Sequence, residues 1–190
     1  MLTQIATLLV DVVASFLVFT LLIRFLCQWM RVPLRSGIGE FIMAVTNWMV
    51  LPARRVIPAF FGLDWASFLL AWLLQALGLW AFYAIAGISF ASSPDIAAAL
   101  LAVLSFIDLV RYGLYIFVFA LIVQAVMSWI NPYSPLAPIF DALNRPLLRP
   151  IRRFVPPLGN VDLSPLILIV LIQVLLIPLA ELRRMAGGLF

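Results

Sequence analysis

Long apolar stretches with few charges alternate along the chain with short segments that carry most of the charge. Four stretches run from about Ile5 to Met30, Trp65 to Ile88, Ile96 to Ile130 and Leu163 to Leu182. A helix needs about 20 apolar residues to cross about 30 Å of hydrocarbon, so each is long enough. The pattern predicts an all-α, polytopic membrane protein with four transmembrane helices. The third stretch is overlong and is interrupted by Asp108 and Arg111. Its first part, Pro94 to Ser105, reads as a short interfacial helix or as an extension of the span. Asp108 and Arg111 are then expected near the membrane surface, where their i, i+3 spacing lets them pair on one helix face. Tyr112 to Ile130 would cross.

The chain also repeats itself. At a shift of 100 residues, "VFTLLIRFLCQW" (Val18 to Trp29) lies on "VFALIVQAVMSW" (Val118 to Trp129). At a shift of 98, Pro52, Arg54, Arg55, Pro58, Asp64 and Gln75 lie on Pro150, Arg152, Arg153, Pro156, Asp162 and Gln173. Apolar chains match one another by chance at Leu, Val and Ile. They do not match by chance at two prolines, an Arg pair, an Asp and a Gln in one register. Residues 1–93 and 94–190 are therefore read as tandem units, each with two spans joined by a basic, proline-containing segment. A unit with two spans returns to its starting side, so the units share one orientation.

The joining segment is most elaborate in the second unit, "INPYSPLAPIFDALNRPLLRPIRRFVPPLGNVD". Asn131-Pro132-Tyr133-Ser134-Pro135 is turn chemistry. Ile139, Phe140, Leu143, Leu147 and Leu148 form a helical apolar stripe, with Asp141, Asn144 and Arg145 on the other side. This predicts an amphipathic helix lying in the interface. Pro146 lies within it, and Pro150 should stop or kink it at Arg149. Arg149, Arg152 and Arg153 would then cluster at head-group depth. Pro156-Pro157 turns the chain, and Asp162 and Ser164 are placed to cap the fourth span, with Pro165 in its first turn.

Charge adds topology. All the positive charge is arginine, with a net charge of +4. Arg31, Arg35, Arg54 and Arg55 lie between spans one and two. Arg145, Arg149, Arg152 and Arg153 lie between spans three and four, and the loop between spans two and three has no positive charge. The positive-inside rule then puts both basic loops in the cytoplasm and both termini outside. Trp29 and Trp129 end their spans at the depth where indoles prefer to sit. Arginine grips phosphate or carboxylate with paired hydrogen bonds, so Arg54, Arg55, Arg145, Arg149, Arg152 and Arg153 are candidate contacts for anionic lipid head groups or a protein partner. The alternative is that they only set topology.

Composition removes several kinds of chemistry. The chain is 66% hydrophobic and 11% charged, too little charge for a soluble surface. It has no histidine, hence no Ser-His or Cys-His pair and none of the usual zinc or haem-ligand sets. Cys27 is the single cysteine and reads as a small buried hydrophobe. No cofactor, metal or enzymatic activity is expected, and no nucleic-acid-binding module is present. Inside the spans, Gln75 and Gln173 are expected to face the bundle interior, since a bare amide in lipid is costly. Arg24, which matches Gln124, is expected to snorkel to the cytoplasmic surface.

The stretch Ser128 to Leu175, "SWINPYSPLAPIFDALNRPLLRPIRRFVPPLGNVDLSPLILIVLIQVL", resembles the signature of the YggT family, also called YlmG, and the two-unit layout is similar to its bacterial long form. The second unit carries Asn131, Pro132, Asn144, Pro146, Leu148, Arg149, Pro150, Arg152, Arg153, Pro156, Pro157, Gly159, Asp162, Ser164 and Pro165. The first unit is degenerate, with Arg31-Val32-Pro33 and Trp65-Ala66-Ser67 at the corresponding places. A role tied to the motif is thus expected to rest mainly on the second unit. The resemblance implies a small inner-membrane protein with no assigned catalytic residue. Plastid and cyanobacterial members are linked to assembly of photosynthetic complexes and nucleoid distribution. Bacterial members are linked to cell shape or division and to osmotic stress and ion homeostasis. Two functions are expected from this: a membrane scaffold or assembly factor docking through its arginines, with a membrane-protein partner or as a homo-oligomer, or a channel or transport accessory.

Overall fold

The computed structural model describes residues 2–32, 37–58, 62–87, 94–131, 134–155 and 162–188; the side chains of residues 2, 3, 6 and 129 are not among those described. Arg35, Pro132, Pro156, Pro157 and Gly159 lie outside these residues. Six helices follow in order: α1 Leu2–Trp29, α2 Gly37–Val56, α3 Trp65–Ile85, α4 Pro94–Ile130, α5 Ala137–Phe154 and α6 Ser164–Gly187. Within α1, α3, α4 and α6 lie the four segments long and apolar enough to cross a membrane. The chain is an all-α polytopic membrane protein.

The two halves pack alike. α1 lies along α3, and α4 lies along α6. The amphipathic helices α2 and α5 each brace the pair of their own half. Along the line where each pair packs, equivalent side chains are buried alike: Leu21 and Leu121 are fully buried, as are Val50 and Leu148. α4 joins the halves by packing on α3 and, less extensively, on α1. The shared core is aliphatic and aromatic, and Phe25 gathers Trp29, Trp65 and Phe68 around it.

The structure decides between alternatives that the sequence left open at two elements. α4 is one unbroken helix, so Pro94 to Ser105 is an extension of the span and not a separate interfacial helix. Asp108 is buried between helices, and Arg111 pairs with it at 3.3 Å, as the i, i+3 spacing predicted. α5 does not stop at Arg149; it continues through Pro146 and Pro150 to Phe154. Both prolines, and Pro52 in α2, lie on exposed faces. A carbonyl that loses its helical donor there can turn to water or a head group, which lowers the cost of an interior proline.

α1 ends differently from α4. Arg31 takes a left-handed conformation at φ 54°. Its amide donates to the carbonyl of Gln28, and the amide of Val32 donates to that of Cys27. This pair of bonds is the Schellman closure, with an arginine where glycine is usual. It folds Val32 back into the core.

Candidate functional site

At the end of the bundle where α1 finishes and α3 begins, three helices converge on one carboxylate. Asp64 precedes α3 and is 1% exposed. Arg54, near the end of α2, donates to it from Nε at 3.1 Å and from a terminal nitrogen at 2.6 Å. Ser67 Oγ donates at 2.6 Å, and Arg24 Nε approaches from α1 at 3.4 Å. Arg24 also donates to Thr46 Oγ1 at 2.6 Å and to Asn47 Oδ1 at 2.9 Å, both on α2. Burial alone would raise the Asp64 carboxyl, but the hydrogen bonds of Arg54 and Ser67 and the charges of Arg54 and Arg24 outweigh it. The group is held below the usual carboxylate range. Hydrogen bonding to Asp64 raises Arg54 in turn, against the cost of its burial.

Arg24 is thus 5% exposed and turned inward, and the expectation that it snorkels is wrong. Partners on α2 and at Asp64 satisfy it in place, which removes the reason to reach for water. Gln28 accepts from Arg54 at 3.4 Å, completing a network that contains both a buried cation and a buried anion.

The second half places the same positions together with different groups. Gln124 stands at the position of Arg24 and Asn144 at that of Thr46. Asn144 donates to Gln124 Oε1 at 2.8 Å, and Gln124 donates to Asp141 at 3.1 Å. Arg145 pairs with Asp141 at 2.8 Å on the exposed side. Arg152 reaches Asp162 at 2.8 Å, as Arg54 reaches Asp64, but both partners are more than one third exposed. Burial tends to raise Asp162, and hydrogen bonds from Ser164 together with Arg152 pull it below its ordinary value. The capping expectation is met by Asp162, whose Oδ1 accepts the Ser164 amide at 2.9 Å. Ser164 is buried and makes no side-chain cap of its own. Pro165 is buried in the first turn of α6.

These ion pairs sort the predicted arginines. Arg54, Arg145 and Arg152 are each tied to an aspartate. Arg55, Arg149 and Arg153 are exposed and have no partner among the described residues. Arg55 and Arg153 are equivalent under the repeat, and each is followed by a bare apolar residue, Val56 at 82% and Phe154 at 85% exposed. Arg-Arg in each half therefore divides into one structural cation and one outward cation. Asn131 is exposed at the end of α4.

A second polar layer lies toward the other end of the bundle. Asp108 on α4 is 2% exposed. Arg183 of α6 donates to it from Nε at 2.5 Å, and Arg111 and Gln75 each donate at 3.3 Å. Gln75 thus faces the interior as expected. Gln173 does not: it is exposed, with Val174 and Leu175 beside it, and the expectation is corrected. Among the described residues its side of α6 receives no neighbour. The sequence reading missed Arg183 as a partner of Asp108, because a separation of 75 residues leaves no local signal. Beside this layer is a cavity of about 360 Å³ whose lining includes Asp11, Ser15, Gln75, Tyr112 and Arg183. No group of His, Cys, Asp or Glu among the described residues is placed to hold a metal.

A family model described as CCB3/YggT matches residues 3–85 and again residues 96–182. The chain belongs to the CCB3/YggT family. The double match falls on the two packed halves. The Escherichia coli K12 protein named YggT is 35% identical over 96% of this chain and 93% of its own. A Pseudomonas aeruginosa relative is 32% identical over 83% of this chain and 79% of its own. One from Vibrio alginolyticus is 28% identical over 87% and 88%. The names of these relatives state no activity. No solved structure matches the chain.

Proposed function

We propose that the protein is a non-enzymatic inner-membrane scaffold that docks anionic groups through the ends of α2 and α5. The observation that carries this reading is the division of the arginines. Arg54 and Arg152 are tied to Asp64 and Asp162, while Arg55, Arg149 and Arg153 project outward with no partner among the described residues. Topology alone needs charge but not this division. Val56 and Phe154 beside Arg55 and Arg153 are suited to enter the acyl boundary while the guanidinium groups meet phosphates. Both basic ends are assigned to the cytoplasmic face and the termini to the opposite one.

A cation near an anionic membrane surface contributes about 1 kcal/mol. Replacing Arg55, Arg149 and Arg153 together by alanine should therefore weaken binding to anionic head groups roughly a hundredfold. The experiment is purification from native membranes in mild detergent, with mass spectrometry of the lipids and proteins that remain bound. Loss of anionic phospholipid or of a stoichiometric protein in the triple variant supports the reading. Identical wild-type and variant preparations would refute it.

The cavity beside Asp108 favours a second reading, a transport accessory, because it brings Asp11, Gln75, Tyr112 and Arg183 into a half-open space within the bundle. Ion flux in proteoliposomes that falls in Asp108→Asn would support it. Flux equal to that of empty vesicles would exclude it.

A further inference from the structure

The interface between the two halves is built once, although its parts are present twice. On α3, Phe68, Trp72, Gln75 and Leu79 form one stripe at spacings of four, three and four, and all four engage α4. The rings of Phe68 and Phe106 lie 6.5 Å apart. Trp72 Nε1 donates to the carbonyl of Ala102 at 3.0 Å. Gln75 donates to Asp108 at 3.3 Å, and Leu79 packs with Leu101 and Leu104.

At the shift of 98, that stripe becomes Leu166, Val170, Gln173 and Ile177 on α6, and every one is bare. The three apolar residues are 62%, 53% and 70% exposed, and Gln173 is exposed with them. The receiving face shows the same contrast. Leu104, Ser105 and Asp108 on α4 are at most 2% exposed. Their counterparts at the shift of 100, Gln4, Ile5 and Leu8 on α1, are all exposed. Among the described residues α6 makes no packing on α1 comparable to that of α3 on α4.

Lipid satisfies exposed leucine and valine, but not an amide near mid-span. Gln173 is the tenth residue of α6, about 14 Å along it at about 1.5 Å per residue. Interhelical hydrogen bonding is what retains such a group. We propose that the α6 stripe around Gln173 is an interface for a second copy of this chain, which presents the Ile5–Leu8 face of its α1. The contact repeats between chains the packing that α3 and α4 make within one. It puts the Gln173 amide beside the partner copy's Leu8 and within one turn of its exposed Asp11 carboxylate, in place of the Asp108 that Gln75 meets. Because the two faces differ, the contact is head-to-tail.

Cysteine cross-linking in native membranes tests this. One chain carries Leu8→Cys and a second, differently tagged chain carries Gln173→Cys; both positions are exposed, so folding is preserved. Wild type, whose single cysteine is buried, is the blank. On mild oxidation, a covalent species of twice the mass bearing both tags is expected when the two chains are co-expressed. Neither single variant alone should give it. Absence of that species overturns the proposal. So does self-linking of the Gln173→Cys chain, which would mean an α6–α6 contact. A chain carrying both cysteines that links only within itself would show α6 closing on its own α1, and also overturns it.

Discussion

In the first half, Arg54 meets Asp64 in the interior, and Arg24 and Ser67 close round the same carboxylate. In the second half, Arg152 meets Asp162 at the surface without either helper. Gln124 stands where Arg24 would be, and Pro165 where Ser67 would be. The backbone plan is shared, so the difference lies in the side chains at two positions. A buried carboxylate needs more than one donor to offset the loss of water. With two arginines and a serine around it Asp64 can be enclosed; with one arginine and Ser164, Asp162 stays wet. The half whose motif is eroded is thus the one whose ion pair has a buried carboxylate.

The comparison breaks most visibly at the two aspartates. Asp64→Ala leaves Arg24 and Arg54 facing one another without their anion, and should cost about 3–5 kcal/mol. Asp162→Ala removes an exposed pair and should cost about 1 kcal/mol or less. Thermal unfolding in detergent, followed by tryptophan fluorescence, reads both. Equal losses would mean that the two pairs do the same work and that burial does not separate them.

Acid titration should reveal the same carboxylate. Asp64 titrates lower in the folded protein than in the unfolded chain, so its stabilisation is fully present above the ordinary aspartate range, near 3.9. It is lost as pH falls through the depressed folded value. Wild type should therefore lose stability below about pH 4 more steeply than Asp64→Asn, which has nothing there to protonate. Parallel curves for the two proteins would remove Asp64 from the account.

Much of this was readable beforehand. Apolar runs gave the four long helices, because length and composition suffice for a membrane segment. The two registers located Asp64 with Asp162 and Gln75 with Gln173. What they could not convey was depth. Gln75 and Gln173 are the same residue at equivalent positions, yet one lies against α4 and the other is bare, because only one half has a neighbour on that side. Arg24 was misplaced for a related reason: its partners Thr46 and Asn47 lie on α2, which carries no motif that marks it as an acceptor surface. Helix α5 outran Pro150 because proline's cost depends on which face it occupies, and exposure is a tertiary property.

Converting one half toward the other sharpens the comparison further. Arg24→Gln with Thr46→Asn gives the first half the pair found at Gln124 and Asn144. The amides can bond to each other, but Asp64 loses one of its two cations. A net loss of about 1–3 kcal/mol is expected, as for a buried charged hydrogen bond. Thr46→Asn alone should be worse than the double, since Arg24 then meets a larger side chain in a fully buried site. A double variant no better than the single would show that the two halves do not share this packing.

The smallest effect concerns how the first span of each half ends. Arg31 is left-handed, a conformation costing a non-glycine residue roughly 1 kcal/mol. Its equivalent, Asn131, ends α4 without a positive φ. Arg31→Gly should therefore stabilise by up to about 1 kcal/mol, and Asn131→Gly should not. The gain has a limit, because glycine also loosens the unfolded chain. If Arg31→Gly instead destabilises, the arginine side chain contributes more at the end of α1 than its backbone costs. The contrast between the two span ends would then lie in the side chains, as it does between Asp64 and Asp162.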